Sequence, residues 1–134
     1  MSADVFFDTN ILVYATSNDD ARAGLATAWL RRGGVISAQV LNEFTSVTHR
    51  KLGRSWSRIR ADLASFDKIV TAARPIGFST HNLALKVAER DGVAFYDALI
   101  IAAALEAECA TLLSEDMQHS RVIDGRLTIL NPFR

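Results

Sequence analysis

Val5-Phe6-Phe7-Asp8-Thr9-Asn10-Ile11-Leu12-Val13-Tyr14 is the stretch on which the reading of the chain turns. A short apolar run stops at a carboxylate, and apolar residues resume at helical spacing through Ile11, Leu12 and Ala15. Val5 to Phe7 therefore reads as a buried strand, with Asp8 at its carboxyl end and Thr9-Asn10 turning the chain into a helix. In an open α/β sheet, ligands gather outside the carboxyl ends of the strands, which aims Asp8 at a site. Asp and Asn are also ordinary helix caps, and capping would account for Asp8 if it stood alone.

The remaining chain repeats this alternation. Asn18-Asp19-Asp20 caps a helix with Leu25, Ala26, Trp29 and Leu30 inward, closed by Arg31-Arg32 and Gly33-Gly34. Val35-Ile36 reads as a small strand, and Ser37 opens a helix from Ala38 to about Leu52 with Val40, Phe44 and Val47 as its apolar stripe. Gly53 ends that helix, and Ser55 or Ser57 caps the next, which runs through Leu63, Phe66, Ile69 and Val70. A strand is expected within Arg74-Pro75-Ile76-Gly77-Phe78. Ser79 then caps a helix with Leu83, Ala84, Val87 and Ala88 inward, ending at Asp91-Gly92. Asp97 to Leu105 is apolar almost all round and should be the buried central helix. Ala110 to Leu113 is a strand, Met117 to Arg126 a polar loop, and Leu127 to Leu130 a final strand. Strands alternating with helices imply an α/β fold, a mainly parallel central sheet with helices on both faces.

The bulk numbers agree with one domain over residues 1–134. A composition 49% hydrophobic and 22% charged is that of a folded globular chain. No run approaches the roughly 20 apolar residues that span a bilayer, and Asp4, with no basic segment near it, does not fit a signal peptide. The single cysteine, Cys109, fits a reducing, cytoplasmic setting. Net charge is zero but unevenly spread: residues 49–74 carry seven basic groups and two acidic ones, while both flanking segments are acidic. Arg50, Lys51, Arg54 and Arg58 stand in that belt, which is either a solvated hairpin tip or a surface for phosphates.

Three further acids stand in awkward places. Glu43 lies three residues after Val40 and four before Val47, on an apolar face, where a charge is costly unless paired or bound to a metal. Asp97 is in the first turn of the central helix, and Asp116 follows a strand as Asp8 does. Strand ends and helix starts of this kind converge along one edge of a parallel sheet. Gathered there without a counter-charge, the carboxylates would raise one another's pKa. Hard divalent cations resolve that repulsion: Mg²⁺, or Mn²⁺ in its place, prefers oxygen ligands. Such a cation acidifies a bound water and polarises a phosphoryl oxygen. An acidic pocket beside a basic belt points to cleavage of a nucleic-acid phosphodiester. His49, His81 and His119 are scattered, with no zinc spacing, and the chain has neither a glycine-rich phosphate loop nor a G-x-S-x-G elbow. Phosphorylation of a strand-end aspartate would leave Glu43 unexplained.

Phe7-Asp8-Thr9-Asn10, Ser37 to Phe44, Phe95-Tyr96-Asp97-Ala98-Leu99-Ile100 and Leu113 to His119, in that order, resemble the signature of the PIN-domain family, and within it the VapC-type toxins of bacterial toxin–antitoxin pairs. The resemblance covers Asp8 to Phe133. It implies a three-layer PIN-like fold and a Mg²⁺-dependent ribonuclease whose metal-binding carboxylates are Asp8, Glu43, Asp97 and Asp116, oriented by Asn10 and Ser114. His119 or its neighbours stand where many relatives carry a further acid or amide. The resemblance also implies a homodimer and inhibition by a small antitoxin, whose tail could plug an acidic pocket with an arginine. A PIN-like module that grips RNA or a protein without cutting is the other reading.

Overall fold

A computed structural model describes residues 5–134. Its elements run β1 (Val5–Phe7), α1 (Thr9–Ala15), α2 (Asp20–Arg31), β2 (Val35–Ser37), α3 (Ala38–Arg50), α4 (Trp56–Asp67), β3 (Ala72–Arg74), α5 (Phe78–Asp91), α6 (Phe95–Glu106), β4 (Thr111–Leu113), β5 (Val122–Ile123) and β6 (Leu127–Leu130). The six strands form one sheet in the order β3-β2-β1-β4-β6-β5. Every pairing is parallel except β5 with β6. With helices on both faces, this is the three-layer α/β architecture the alternation implied.

β1 is the middle of that sheet, and its residues show why. Phe6 and Phe7 are wholly buried, as expected of a strand covered on both faces. Gly34 makes room for them: a Cβ there would come within 2.3 Å of the Phe7 ring and 2.8 Å of the Val5 carbonyl oxygen. α6 is buried continuously from Ala98 to Leu105, and α5 packs along it. Eight consecutive buried residues leave no face for water, so α6 is the internal helix its composition called for. Phe44 of α3 meets Phe66 of α4 edge-on at 5.2 Å, fixing the α3–α4 hairpin. Among the described residues, no helix is long and apolar enough to cross a membrane.

Several local expectations are corrected. β3 lies at Ala72–Arg74 and so shares only Arg74 with the segment expected to hold a strand, because Pro75 has no N–H to give a ladder. α5 is capped by Gly77, whose N–H is accepted by the Thr80 hydroxyl at 3.2 Å. Ser79 lies inside the helix, where its hydroxyl donates to Glu106 at 2.7 Å. The polar loop after Asp116 contains β5, and Leu25 of α2 is exposed instead of inward. α4 ends at Asp67, so Ile69 and Val70 pack from the turn beyond it.

Candidate metal-binding active site

The register of β1 against β4 builds the centre of the site. Phe7 pairs with Leu113, so the next residues, Asp8 and Ser114, leave the sheet side by side. The Asp8 N–H donates to the Leu113 carbonyl at 2.9 Å, continuing the ladder by one bond. The Asp8 carboxylate then does two things. It caps α1, accepting the Thr9 N–H at 2.7 Å, and it accepts the Ser114 hydroxyl at 2.8 Å. Capping and site placement were posed as alternatives, and Asp8 does both.

Ser114, fully buried, also accepts the N–H groups of Asp116 and Met117 at 3.2 Å each. It thereby fixes the loop that carries Asp116. Asn10 clasps the same loop from α1: its Oδ1 accepts the Glu115 N–H at 3.1 Å, and its Nδ2 donates to the Asp116 carboxylate at 3.2 Å. Glu43 comes from α3. Its two oxygens accept the Thr9 hydroxyl at 3.1 Å and the Gln39 amide at 2.9 Å. No arginine pairs with Glu43 among the described residues, which removes the structural ion pair as the reason for its placement. Asp97 enters from the first turn of α6.

All four carboxylates line one cavity of about 350 Å³, with Thr9 and Asn10 on its floor and Lys51 among its walls. Two of the four, Asp8 and Asp97, have raised pKa values, chiefly through burial. Burial pushes Asp8 up to about 7, with Glu43 and Asp97 adding to the rise and the Ser114 and Thr9 hydrogen bonds opposing it. Burial also raises Asp97, helped by Glu43 and Asp116. The donor set is all oxygen, which matches a hard cation such as Mg²⁺ or Mn²⁺. Among the described residues, no three His, Cys, Asp or Glu side chains stand close enough together to hold a metal ion between them. An open arrangement is what Mg²⁺ accepts, since it keeps waters and takes only one or two protein carboxylates alongside substrate phosphate.

The basic belt divides. Lys51 lines the acidic cavity and Arg50 an adjoining groove. Arg54 is committed within the chain, donating to the Thr16 hydroxyl at 2.7 Å and the Thr16 carbonyl at 3.1 Å and pairing with Asp62 at 3.3 Å. Arg58 donates to the same carbonyl at 2.9 Å. Both hold the end of α1 against α4. Arg54→Ala should cost about 1–2 kcal/mol in urea unfolding, because it removes a nearly buried guanidinium from Thr16 and Asp62 while Arg58 still reaches the Thr16 carbonyl and Asp62. A loss under about 0.5 kcal/mol would return Arg54 to the solvated surface. His119 accepts the Asn131 N–H at 2.9 Å and is not among the residues lining the cavity.

Sequence reasoning passed over Thr9 and Gln39, which hold Glu43. The signal was present in part, since Gln39 stands one helical turn before Glu43. It also missed the rim cluster in which Tyr14 donates to Glu115 at 2.8 Å while Arg22 pairs with Glu115 and lies over the Tyr14 and Phe133 rings. No local pattern joins residues that far apart.

The chain matches the PIN domain family over residues 5–124. None of the curated proteins matches it in sequence. Three solved structures share its fold. A toxin–antitoxin complex from Klebsiella pneumoniae matches at 17% identity and TM-score 0.72, covering 96% of this chain and 97% of that one. VapC20 of Mycobacterium tuberculosis, a sarcin-ricin loop cleaving toxin, matches at 19% identity and TM-score 0.66, covering 81% and 86% respectively. VapBC2 of Rickettsia felis, bound to a DNA fragment from its promoter, matches at 20% identity and TM-score 0.65, covering 95% and 98%.

Proposed function

The chain belongs to the PIN-domain family, and from that premise we propose that it is a Mg²⁺-dependent endoribonuclease, the toxin of a toxin–antitoxin pair acting in the cytoplasm as a homodimer. The observation that carries this reading is the convergence of Asp8, Glu43, Asp97 and Asp116, from four separate parts of the chain, on one cavity. Such a cluster is expensive for a scaffold that only binds. The proposed active unit is the single domain 1–134. The complexes of toxin and antitoxin among its structural likenesses support a protein partner.

The four carboxylates would form the cation's site, one or two as direct ligands and the rest through its waters, and the bound cation would supply Lewis acidity and a nucleophilic water at neutral pH. The chain's own groups do the rest. Ser114 and Thr9 hold the Asp8 carboxylate, Thr9 and Gln39 hold Glu43, and Asn10 holds Asp116, so the acids reach the substrate already oriented. Lys51 offsets phosphate charge at the wall. Arg50 and Lys51 are the belt residues placed to meet RNA. An arginine on an antitoxin tail would block the cavity, because a guanidinium matches a carboxylate and stays charged.

The test is cleavage of a mixed RNA pool by the purified chain. Cutting should require Mg²⁺ or Mn²⁺, stop in excess chelator and return on adding metal back. Undiminished cutting in chelator removes the metal, and tight RNA binding with no cutting in either metal favours the non-cleaving module.

A further inference from the structure

A second groove, of about 460 Å³, adjoins the acidic cavity and shares Glu43, Val47 and Asp97 with it. Its other walls are unlike those of the cavity. Asn42, Ser46 and Arg50 recur every fourth residue along α3, which sets them in a stripe on one side of that helix, and all three are exposed. Facing them is Tyr96, 64% exposed although it directly precedes Asp97. The Tyr96 ring is inclined at 63° to that of Phe95 with centroids 5.7 Å apart, so the two rings are not stacked on each other. Among the described residues Arg50 enters no ion pair. An open aromatic ring, an unpaired cation and a row of short polar side chains form the set that receives an unpaired nucleotide: base on ring, phosphate on cation, base edge on amide or hydroxyl.

We propose that this groove holds the nucleotide next to the scissile phosphate, its base stacked on Tyr96 and its phosphate met by Arg50. The inference rests on the nuclease reading and adds two positioning residues; a base paired in a duplex would first have to be flipped out of its stack to lie on the tyrosine. Recognition by stacking tolerates any base, so Tyr96 sets the requirement for an unpaired residue and not its identity.

The test uses oligoribonucleotides carrying a single abasic ribose, placed in turn at each position around the cut. At one flanking position the abasic residue should raise KM about tenfold for the wild-type chain, the usual loss for one stacked base. Tyr96→Ala should raise KM about tenfold with intact RNA and add nothing further at that position, while Tyr96→Phe behaves as wild type. Arg50→Ala should lower the log–log salt dependence of binding by about 0.7. Equal, additive losses from the abasic residue and from Tyr96→Ala would overturn the contact. So would a Tyr96→Ala chain that cuts normally but loses its antitoxin or its self-association. A wild-type chain that neither binds nor cuts RNA in Mg²⁺ overturns the nuclease reading itself, and this inference with it.

Discussion

Asp97→Asn should reduce RNA cleavage about 10³-fold or more in single-turnover kinetics, while the chain stays folded. A metal's stabilisation of phosphoryl transfer amounts to several kcal/mol, and each 1.36 kcal/mol is a factor of ten. Asp97 is the cleanest of the four acids to change. Its acidity is raised by burial and by Glu43 and Asp116, with no hydrogen bond among the causes, so an amide of the same shape strands no partner. Asp8→Asn is less clean, because Ser114 donates to that carboxylate and already accepts two backbone N–H groups. The same Asp97→Asn chain should be more stable than wild type when metal is absent, since one of the repelling charges has gone. Cleavage within tenfold of wild type would remove Asp97 from the reaction.

The second large effect is on stability. Without metal, the wild-type protein should become more stable as pH falls from 8 to 5. Burial pushes Asp8 in the folded chain up to about 7, against an ordinary carboxyl value of 3.8. Between those two values the folded chain keeps a proton that the unfolded chain has released. Stability therefore falls as pH rises through that window, by on the order of a few kcal/mol. The raised acidity of Asp97 acts in the same direction. Adding Mg²⁺ at pH 8 should restore stability, because a cation that binds only the folded, ionised site shifts the equilibrium by mass action. Urea midpoints at several pH values, for wild type and Asp8→Asn, test this directly. A wild-type profile that is flat, or that rises toward pH 8 without metal, would show that Asp8 is ionised throughout.

The sheet centre was legible because its residues obey one strong rule. β1 is a short apolar run that ends at an acid, β4 is apolar after Thr111 with acids following Ser114, and α6 is apolar almost all round, so burial decides them. The edges were not legible for the opposite reason. All three residues of β3 are exposed, and β5 is two residues long with Val122 exposed, so neither carries an apolar alternation. The placement of Gly77, not Ser79, as the α5 cap turns on the Thr80 hydroxyl, which reaches back to the cap from within the helix. At the site, the acids stood out singly because each broke a local pattern. Arg54 did not, since a buried arginine and a solvated one look the same in a basic run. What separates them is Thr16, 38 residues earlier in the chain.

The clasp between residues 8–10 and 114–116 has a consequence for how the protein comes into being. Asp8 and Ser114 are 106 residues apart, so a ribosome adding roughly 5–20 residues per second finishes one strand end some 5–20 s before its mate. Through that interval the nascent chain holds Asp8, Glu43 and finally Asp97, but nothing to close the cavity around them. The cavity is completed only once β4 and the loop beyond it have been made, so a chain released before Ser114 lacks Asp116 and the hydroxyl that holds Asp8.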